Sequence, residues 1–184
     1  MAAIPPLCDF GWKASPFRLP GVDGKRYKLD SVRGKHGLLV MFICNHCPYV
    51  KSIRERILRD TLELKQHGIN SIAIMSNDPA EYEEDSFEHV TEAAQVFNYP
   101  FPYVWDETQQ IARDYGAVCT PDFFGFNANL ELQYRGRLDA SRKDTVPDAS
   151  RDLFEAMARV AKTGKGPAEQ IPSMGCSIKW KNEA

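Results

Sequence analysis

Residues 43–50 of this sequence read Ile43-Cys44-Asn45-His46-Cys47-Pro48-Tyr49-Val50. The apolar run at residues 38–43 leads into this stretch and predicts a short buried strand. An amphipathic pattern leads out of it and predicts a helix from Cys47 to about His67. The two cysteines therefore stand where a strand meets the start of a helix, whose free N–H groups and positive dipole end favour a thiolate. This placement indicates reversible dithiol–disulfide chemistry.

The composition of the whole chain is ordinary for a soluble globular protein. Its 184 residues are 43% hydrophobic and 26% charged, with a formal net charge of -2. This balance gives no general attraction to nucleic acid or to an anionic membrane, so we expect neither as a partner. No apolar run approaches the ~20 residues of a membrane span, and residues 1–7 do not have the pattern of a signal peptide. We therefore expect a cytoplasmic location.

The cysteine content favours catalysis over a structural role. The chain has five cysteines, too few for a disulfide-built scaffold of this length: Cys8, Cys44, Cys47, Cys119 and Cys176. In a reducing compartment a close pair is more often catalytic or metal-binding than structural. A zinc site needs about four nitrogen or sulfur ligands, and no second C-x-x-C or H-x₃₋₅-H is present. We therefore expect redox chemistry and no metal at Cys44 and Cys47.

The remaining chain alternates predicted strands and helices. An Asp-Gly turn within residues 17–29 predicts a β-hairpin ahead of the first buried strand. A second buried strand is predicted at residues 69–76, which implies a right-handed parallel crossover. Residues 122–135 have the pattern of an antiparallel hairpin. The predicted fold class is α/β, a three-layer α/β/α sandwich with a mixed central sheet and an extra N-terminal β-hairpin.

The length of the chain predicts one domain over residues 1–184. Residues 1–16 are Pro-rich and are expected to be irregular, and a tail rich in Gly and Pro begins at about residue 164. The acidic stretch at residues 78–85 is interpreted as a solvated face.

A second motif reads Cys119-Thr120-Pro121-Asp122-Phe123-Phe124 and places a Thr-Pro directly before a predicted strand. A cis X–Pro bond occurs in only about 5–6% of such bonds, so its usual role is specific. Together with the strand-Cys44-x-x-Cys47-helix unit and the N-terminal hairpin, this motif resembles the thioredoxin superfamily. The closer resemblance is to the redoxin (AhpC/TSA-like, peroxiredoxin-like) branch with a C-x-x-C motif, and it spans about residues 17–160.

The resemblance implies a role for each residue of the site. Cys44 is implied to be the exposed nucleophile, Cys47 the buried resolving thiol and Pro121 a cis-proline that faces them. The backbone of Thr120 is implied to pair with the extended chain of a bound partner. From its own chemistry, a protonated His46 is expected to lower the pKa of the Cys44 thiol below the usual ~8.5.

The expected function is a thiol–disulfide oxidoreductase that cycles through a mixed disulfide. The first alternative is a thiol-dependent peroxidase. Peroxiredoxins carry P-x-x-x-T-x-x-C, and here Gly37 and Met41 stand where the Pro and Thr would be, which weighs against a dedicated peroxidase. A further alternative is a metal-binding or chaperone module without enzymatic activity.

The sequence predicts no cofactor, because no G-x-G-x-x-G motif for a nicotinamide or flavin nucleotide is present. The expected substrate is a disulfide-containing protein or small molecule. The electrons are then expected from a dithiol protein such as a thioredoxin, or from a low-molecular-weight thiol.

Two further cysteines are candidate auxiliary thiols. Cys119 precedes Pro121 by two residues and is expected near the site. Cys176 lies in the tail, where Ile178 and Trp180 predict docking onto the body of the protein. There it is a candidate additional resolving thiol that exchanges with Cys44.

Overall fold

The computed structural model describes residues 2–181 and has the predicted α/β architecture. Its strands are β1 (Ala2–Ala3), β2 (Arg18–Pro20), β3 (Arg26–Lys28), β4 (Gly37–Phe42), β5 (Ile69–Met75), β6 (Tyr103–Trp105), β7 (Cys119–Thr120), β8 (Asp122–Asn127), β9 (Leu132–Tyr134) and β10 (Gly175–Ser177). Its α-helices are α1 (Leu29–Val32), α2 (Pro48–Lys51), α3 (Arg54–Gln66), α4 (Phe87–Val96), α5 (Gln110–Tyr115) and α6 (Asp152–Thr163). None of the helices within this range is long and apolar enough to cross a membrane.

The central sheet is mixed and has the strand order β6-β5-β4-β8-β9. Strand β5 runs parallel to both β4 and β6, which confirms the predicted strand–helix–strand crossover. Strands β8 and β9 form the predicted antiparallel hairpin, and β8 also pairs antiparallel with β4. The N-terminal hairpin is present as β2 and β3. The fold class is therefore the one that the sequence predicts.

Strand β4 lies at the centre of the three layers and is buried along its whole length. Leu39 and Met41 pack on one face, in the apolar cluster that includes residues of α3 and α6. Val40 and Phe42 pack on the opposite face, with residues of α1 and α5. Truncating a buried aromatic side chain such as Phe42 to Ala typically costs about 3–5 kcal/mol. The segment that follows Phe42 therefore begins at the end of a strand that is packed on both faces.

The helix that follows Cys47 differs from the prediction, because it is divided into α2 and α3. Ile53, with φ -114° and ψ 2°, leaves the helical conformation between them. The carbonyl oxygen of Ser52 accepts a hydrogen bond from Thr145 Oγ1 at 2.8 Å. This contact joins the loop before α6 to the break, and α6 itself begins at Asp152.

The tail returns to the body as strand β10, which lies between β1 and β7 in a small antiparallel sheet. The register places Cys176 opposite Thr120. Gly175 is required there, because a Cβ at this position would lie 2.1 Å from the carbonyl oxygen of Thr120. The predicted docking of the tail is therefore confirmed, but it is built on backbone pairing. Ile178 is buried, whereas Trp180 is still 38% exposed.

Candidate functional site

The C-x-x-C unit occupies the junction between β4 and α2. Ile43 extends the strand, and its carbonyl oxygen accepts a hydrogen bond from Tyr103 OH at 3.0 Å. Cys47 is the N-cap residue of α2, and Pro48 follows at the first turn, where a missing N–H costs least. Both cysteines therefore lie at the strand–helix junction that the sequence predicts.

Cys44 is buried, so the expectation of an exposed nucleophile is wrong. Only 2% of Cys44 is accessible, and Cys47 is fully buried. Cys44 Sγ lies 3.1 Å from Thr120 Oγ1 and 3.6 Å from His46 Nδ1. An external disulfide can reach Cys44 only if neighbouring side chains move.

The peptide bond between Thr120 and Pro121 is cis, as predicted. Thr120 meets both sulfurs of the pair, since its hydroxyl lies against Cys44 and its carbonyl oxygen is 3.0 Å from Cys47 Sγ. The backbone edge of Thr120, predicted to bind a partner's extended chain, is occupied by Cys176 of the protein's own tail. A partner chain can pair with this edge only after β10 leaves it.

A buried carboxylate, Asp85, belongs to the site although the sequence analysis placed it on a solvated face. One of its oxygens accepts hydrogen bonds from the backbone N–H groups of Asn45 at 2.9 Å and His46 at 3.0 Å. The other accepts from the side-chain amide of Asn77 at 2.9 Å and pairs with His46 Nδ1. Burial opposes the ionisation of Asp85, but the hydrogen bonds from His46 and Asn77 outweigh it and lower the pKa of the carboxyl. Nothing in the spacing of the acidic stretch distinguishes Asp85 from the other acids there.

His46 is held from two sides. Its ring stacks on that of Tyr82, with centroids 3.9 Å apart and planes 11° from parallel, and its Nδ1 is paired with Asp85. His46 thus lies beside Cys44 as expected, but it is also paired with the buried carboxylate of Asp85. The negative charge of Asp85 acts on Cys44 in the direction opposite to the predicted effect of His46.

The surroundings of the reduced pair favour ionisation of Cys47 over ionisation of Cys44. Burial, the hydrogen bond with Cys47 and the charge of Asp85 hold the pKa of Cys44 well above its usual value. The pKa of Cys47 is lowered to about 5, first by the hydrogen bond from Cys44 and then, against the cost of burial, by that from Cys176. The backbone N–H groups of Cys176 and Val50 add to this lowering, whereas the Thr120 carbonyl accepts a hydrogen bond only from the Cys47 thiol. Both shifts run opposite to the expected lowering of the Cys44 pKa.

The two candidate auxiliary thiols have different positions. Cys176 Sγ lies 3.0 Å from Cys47 Sγ, next to the second cysteine of the pair and not next to Cys44 as predicted. Its pKa is raised to about 12, first by burial and then by its hydrogen bond to Cys47. Cys119 is fully buried, and its Sγ faces the carbonyl oxygen of Pro121 at 3.5 Å. Burial also raises the pKa of Cys119, so this thiol resembles a core residue.

One cluster of metal-ligating side chains coincides with the site. Atoms of Cys44, His46 and Asp85 lie within 4.8 Å of one another. They offer one sulfur, one nitrogen and one oxygen ligand, whereas structural zinc sites use four ligands that are mostly sulfur and nitrogen. Both carboxylate oxygens of Asp85 already accept hydrogen bonds. The three side chains are therefore connected by hydrogen bonds, and their set of ligand atoms differs from that of a structural zinc site.

A mixed five-stranded sheet, a C-x-x-C at a strand–helix junction and a cis-proline opposite it define a thioredoxin-fold redox protein. The chain belongs to the AhpC/TSA family, whose model matches residues 10–137. This redoxin family comprises oxidoreductases, among them thiol–disulfide oxidoreductases and peroxiredoxin-like proteins.

Solved structures share this fold. An uncharacterized conserved protein from Geobacillus kaustophilus is 40% identical with a TM-score of 0.93, and the match covers 100% of this chain and 98% of that chain. A hypothetical protein from Sinorhizobium meliloti 1021 is 35% identical with a TM-score of 0.90, over 99% and 98%. The thioredoxin domain of a thiol-disulfide oxidoreductase from Bacteroides vulgatus, 17% identical with a TM-score of 0.63 over 83% and 97%, shows the shared fold. No curated protein matches the sequence.

Proposed function

We propose that this protein is a thiol–disulfide oxidoreductase in which Cys44 and Cys47 alternate between dithiol and disulfide. The observation that carries the proposal is the double contact of Thr120, whose hydroxyl faces Cys44 Sγ at 3.1 Å and whose carbonyl faces Cys47 Sγ at 3.0 Å. When the proton of Cys44 passes to Cys47, the hydroxyl donates to a Cys44 thiolate and the carbonyl accepts from a Cys47 thiol. Thr120 therefore stabilises the reactive arrangement of the pair.

The proposed cycle starts from this rearranged pair. The Cys44 thiolate attacks one sulfur of a substrate disulfide, the S–S bond breaks and the other substrate sulfur leaves as a thiolate. Cys47 passes its proton to that leaving thiolate and attacks Cys44 Sγ. The second substrate thiolate leaves, and a Cys44–Cys47 disulfide remains. Two electrons have then passed from the dithiol to the substrate.

His46 and Asp85 are positioning residues in this proposal. Asp85 fixes the His46 ring through Nδ1 and holds the backbone N–H groups of the loop between the cysteines. The stacked Tyr82 covers the same ring. We propose that movement of His46 and Tyr82 opens the route to Cys44, because this sulfur is buried in the closed arrangement.

The proposed substrate is a disulfide-containing molecule, and the reductant is a low-molecular-weight thiol or a dithiol protein such as a thioredoxin. A reducing compartment supplies such thiols, so we propose that the cycle runs in the cytoplasm.

Trapping with oxidised glutathione tests the roles of the pair. A Cys47→Ser variant should accumulate a stable glutathione adduct on Cys44, because the resolving thiol is gone. A Cys44→Ser/Cys176→Ser double variant should not accumulate such an adduct on Cys47, and its second change keeps Cys176 from resolving one. Cys8→Ser is the matched control, because Cys8 is a partly exposed thiol outside the site. Equal trapping by both site variants would overturn the assignment of nucleophile and resolving thiol.

A second candidate function is a thiol-dependent peroxidase. One observation favours it, since the Thr120 hydroxyl faces Cys44 although the sequence position usual for such a hydroxyl holds Met41. In that reaction the Cys44 thiolate attacks one oxygen of hydrogen peroxide, the O–O bond breaks, hydroxide leaves and a sulfenic acid forms. The Cys47 thiol then attacks Cys44 Sγ, so that the disulfide forms and water leaves. Stopped-flow oxidation decides, because a rate no faster than that of a free thiol at equal thiolate fraction excludes a specialised peroxidase.

A further inference from the structure

The sulfur of Cys176 lies where a disulfide partner of Cys47 would lie. The two Sγ atoms are 3.0 Å apart, and a disulfide requires about 2.05 Å. Cys44, the other cysteine of the C-x-x-C unit, also lowers the pKa of Cys47. Cys47 thus has two candidate disulfide partners, Cys44 in the motif and Cys176 in the tail.

The position of Cys176 is fixed by its strand. Cys176 is paired with Thr120 in β7, and the absence of a side chain at Gly175 lets β10 approach the Thr120 carbonyl. Beyond the strand, the Ile178 N–H donates to the carbonyl of Val118 at 3.1 Å. The next residue continues the anchoring, since the Lys179 N–H donates to Asn77 Oδ1 at 3.0 Å. The closeness of the two sulfurs is therefore held by backbone bonds on both sides of Cys176.

Accessibility separates the three cysteines. Cys44 and Cys47 are buried, whereas Cys176 is partly exposed. Strand β10 is paired along both edges, with β1 on one side and β7 on the other. A further extended chain therefore finds no free edge beside Cys176, whereas a small thiol needs none.

We propose that Cys176 is a third redox thiol, which takes over the disulfide from Cys44 and presents it to a low-molecular-weight thiol at the surface. This inference rests on the proposed function, because it needs the Cys44–Cys47 disulfide as its starting point. In the first step the Cys176 thiolate attacks Cys47 Sγ. The Cys44–Cys47 bond breaks, a Cys47–Cys176 bond forms and Cys44 leaves as a thiolate that takes up the proton released by Cys176. The exchange is neutral in electrons.

In the second step a small thiolate attacks Cys176 Sγ, and Cys47 leaves as a thiolate. A second molecule of the small thiol then attacks the mixed disulfide on Cys176, so that the dithiol is restored and the small disulfide is released. Two electrons enter the protein, and each small thiol gives up its proton. Because the pKa of Cys47 is lowered to about 5, Cys47 is a good leaving group in this step.

The charges around Cys176 change in the direction that the exchange needs. In the reduced protein, burial and then the hydrogen bond and negative charge of Cys47 raise the pKa of Cys176, while Lys179 lowers it. A Cys44–Cys47 disulfide removes the charge of Cys47 and leaves that of Lys179. Cys176 therefore loses its proton more readily when a disulfide is present for it to attack.

Peptide mapping after stoichiometric oxidation with diamide tests the exchange. Trypsin cleaves after Lys35, Lys51, Lys165 and Lys179, so Cys44 and Cys47 share peptide 36–51 and Cys176 lies in peptide 166–179. A Cys44–Cys47 disulfide closes a loop within one peptide, whereas a Cys47–Cys176 disulfide links the two peptides. We expect both products from the wild type, the link alone from Cys44→Ser and the loop alone from Cys176→Ser. Cys47→Ser should give neither.

The outcomes separate this inference from the proposed function. If no link forms in the wild type or in Cys44→Ser while the loop forms, the third thiol is excluded and the dithiol cycle stands. If the link forms and the loop does not, the Cys44–Cys47 cycle fails. A link that persists in Cys47→Ser would assign the partner of Cys176 to Cys44 and overturn the exchange written above.

Reduction kinetics test the surface role of Cys176. We expect glutathione to reduce oxidised Cys176→Ser about tenfold more slowly than the wild type, because the remaining disulfide is buried. Gly175→Ala keeps every thiol but crowds the Thr120 carbonyl, so it should also slow reduction. Cys8→Ser is the control and should be unchanged. An unchanged rate in Cys176→Ser, or faster reduction of the wild type by thioredoxin than by glutathione at equal thiol concentration, would overturn the proposal.

Discussion

Cys44 and Cys176 are held near Cys47 by different kinds of contact. On one side, Cys44 is surrounded by side-chain groups, namely the hydroxyl of Thr120, the ring of His46 and the buried carboxylate of Asp85. On the other side, Cys176 is placed by backbone pairing in β10, with Gly175 against the Thr120 carbonyl. The Cys44 side is closed to solvent, whereas the Cys176 side is partly open.

The two kinds of contact control different properties, namely the ionisation of the cysteines on the Cys44 side and the distance between sulfurs on the Cys176 side. Side chains on the Cys44 side set where the proton and the negative charge lie, so conservative substitutions there should change reactivity. Backbone pairing on the Cys176 side sets how close a third sulfur comes, so it should respond to steric changes in the strand. If this separation holds, a substitution on one side should leave the chemistry of the other side unchanged.

The largest effect is expected from Asp85→Asn. The amide cannot replace both carboxylate oxygens as acceptors for the N–H groups of Asn45, His46 and Asn77. Since burying an unsatisfied polar group costs about 1–3 kcal/mol, urea denaturation should show a loss of stability of that order. Removal of the negative charge should also lower the pKa of Cys44. In a Cys47→Ser background, iodoacetamide should therefore alkylate Cys44 faster at neutral pH.

Glu84→Gln is the matched control, because Glu84 is the neighbouring acid and forms an exposed ion pair with Lys51. Exposed ion pairs are worth about 0–1 kcal/mol, so its stability and the alkylation rate of Cys44 should change little. An Asp85→Asn variant as stable as this control would mean that the buried carboxylate does not organise the Cys44 side.

Much of the fold and the centre of the site could be predicted from sequence because their signals are local. The apolar run before Cys44 and the Thr-Pro before β8 are each visible within a few residues, and the structure has the strand and the cis bond at these positions. The break between α2 and α3 could not be predicted, since it involves Thr145 from a distant loop.

The positions of Asp85 and Cys176 could not be predicted, because they depend on contacts between distant parts of the chain. Asp85 ends an acidic stretch whose composition is typical of a surface, and only the folded chain brings it beneath His46. The sequence predicts Cys176 at the site but beside Cys44, whereas its sulfur lies beside that of Cys47. The pairing of Cys176 with Thr120 is set by β10 lying between β1 and β7, which no local pattern specifies.

A smaller effect is expected from Thr120→Val, which removes the hydroxyl and keeps the shape of the side chain. A hydrogen bond of this kind is worth about 0.5–1.5 kcal/mol, so exchange of Cys44 with a small disulfide should slow roughly 2- to 13-fold. Thr120→Ser should restore the rate, because the hydroxyl returns. The Cys47–Cys176 link should form as in the wild type, since the Thr120 carbonyl and its pairing remain. Equal slowing of both reactions would show that the two sides are not independent.

The smallest effect concerns the pH dependence of the reduction potential. The pKa of Cys47 in the folded, reduced protein is lowered from 9.0 to about 5. Below pH 5 the reduced pair binds two protons, and above it only one. Each proton contributes about 30 mV per pH unit to a two-electron couple, so the potential should fall by about 60 mV per unit below pH 5 and about 30 mV above. Titration against a glutathione buffer of known ratio measures this slope.

The lowered pKa of Cys47 also makes the stability of the reduced protein depend on pH. A lowered folded-state pKa stabilises the reduced protein fully above pH 9, and this contribution is lost as the pH falls from 9 to 5.

Cys176→Ala removes one of the hydrogen bonds that lower the pKa of Cys47, while the larger contribution from Cys44 remains. The break in the slope should therefore move upward from pH 5 without reaching 9. A break that does not move would mean that Cys176 lies beside Cys47 without sharing its charge, and the Cys44 side alone would then control the thiolate.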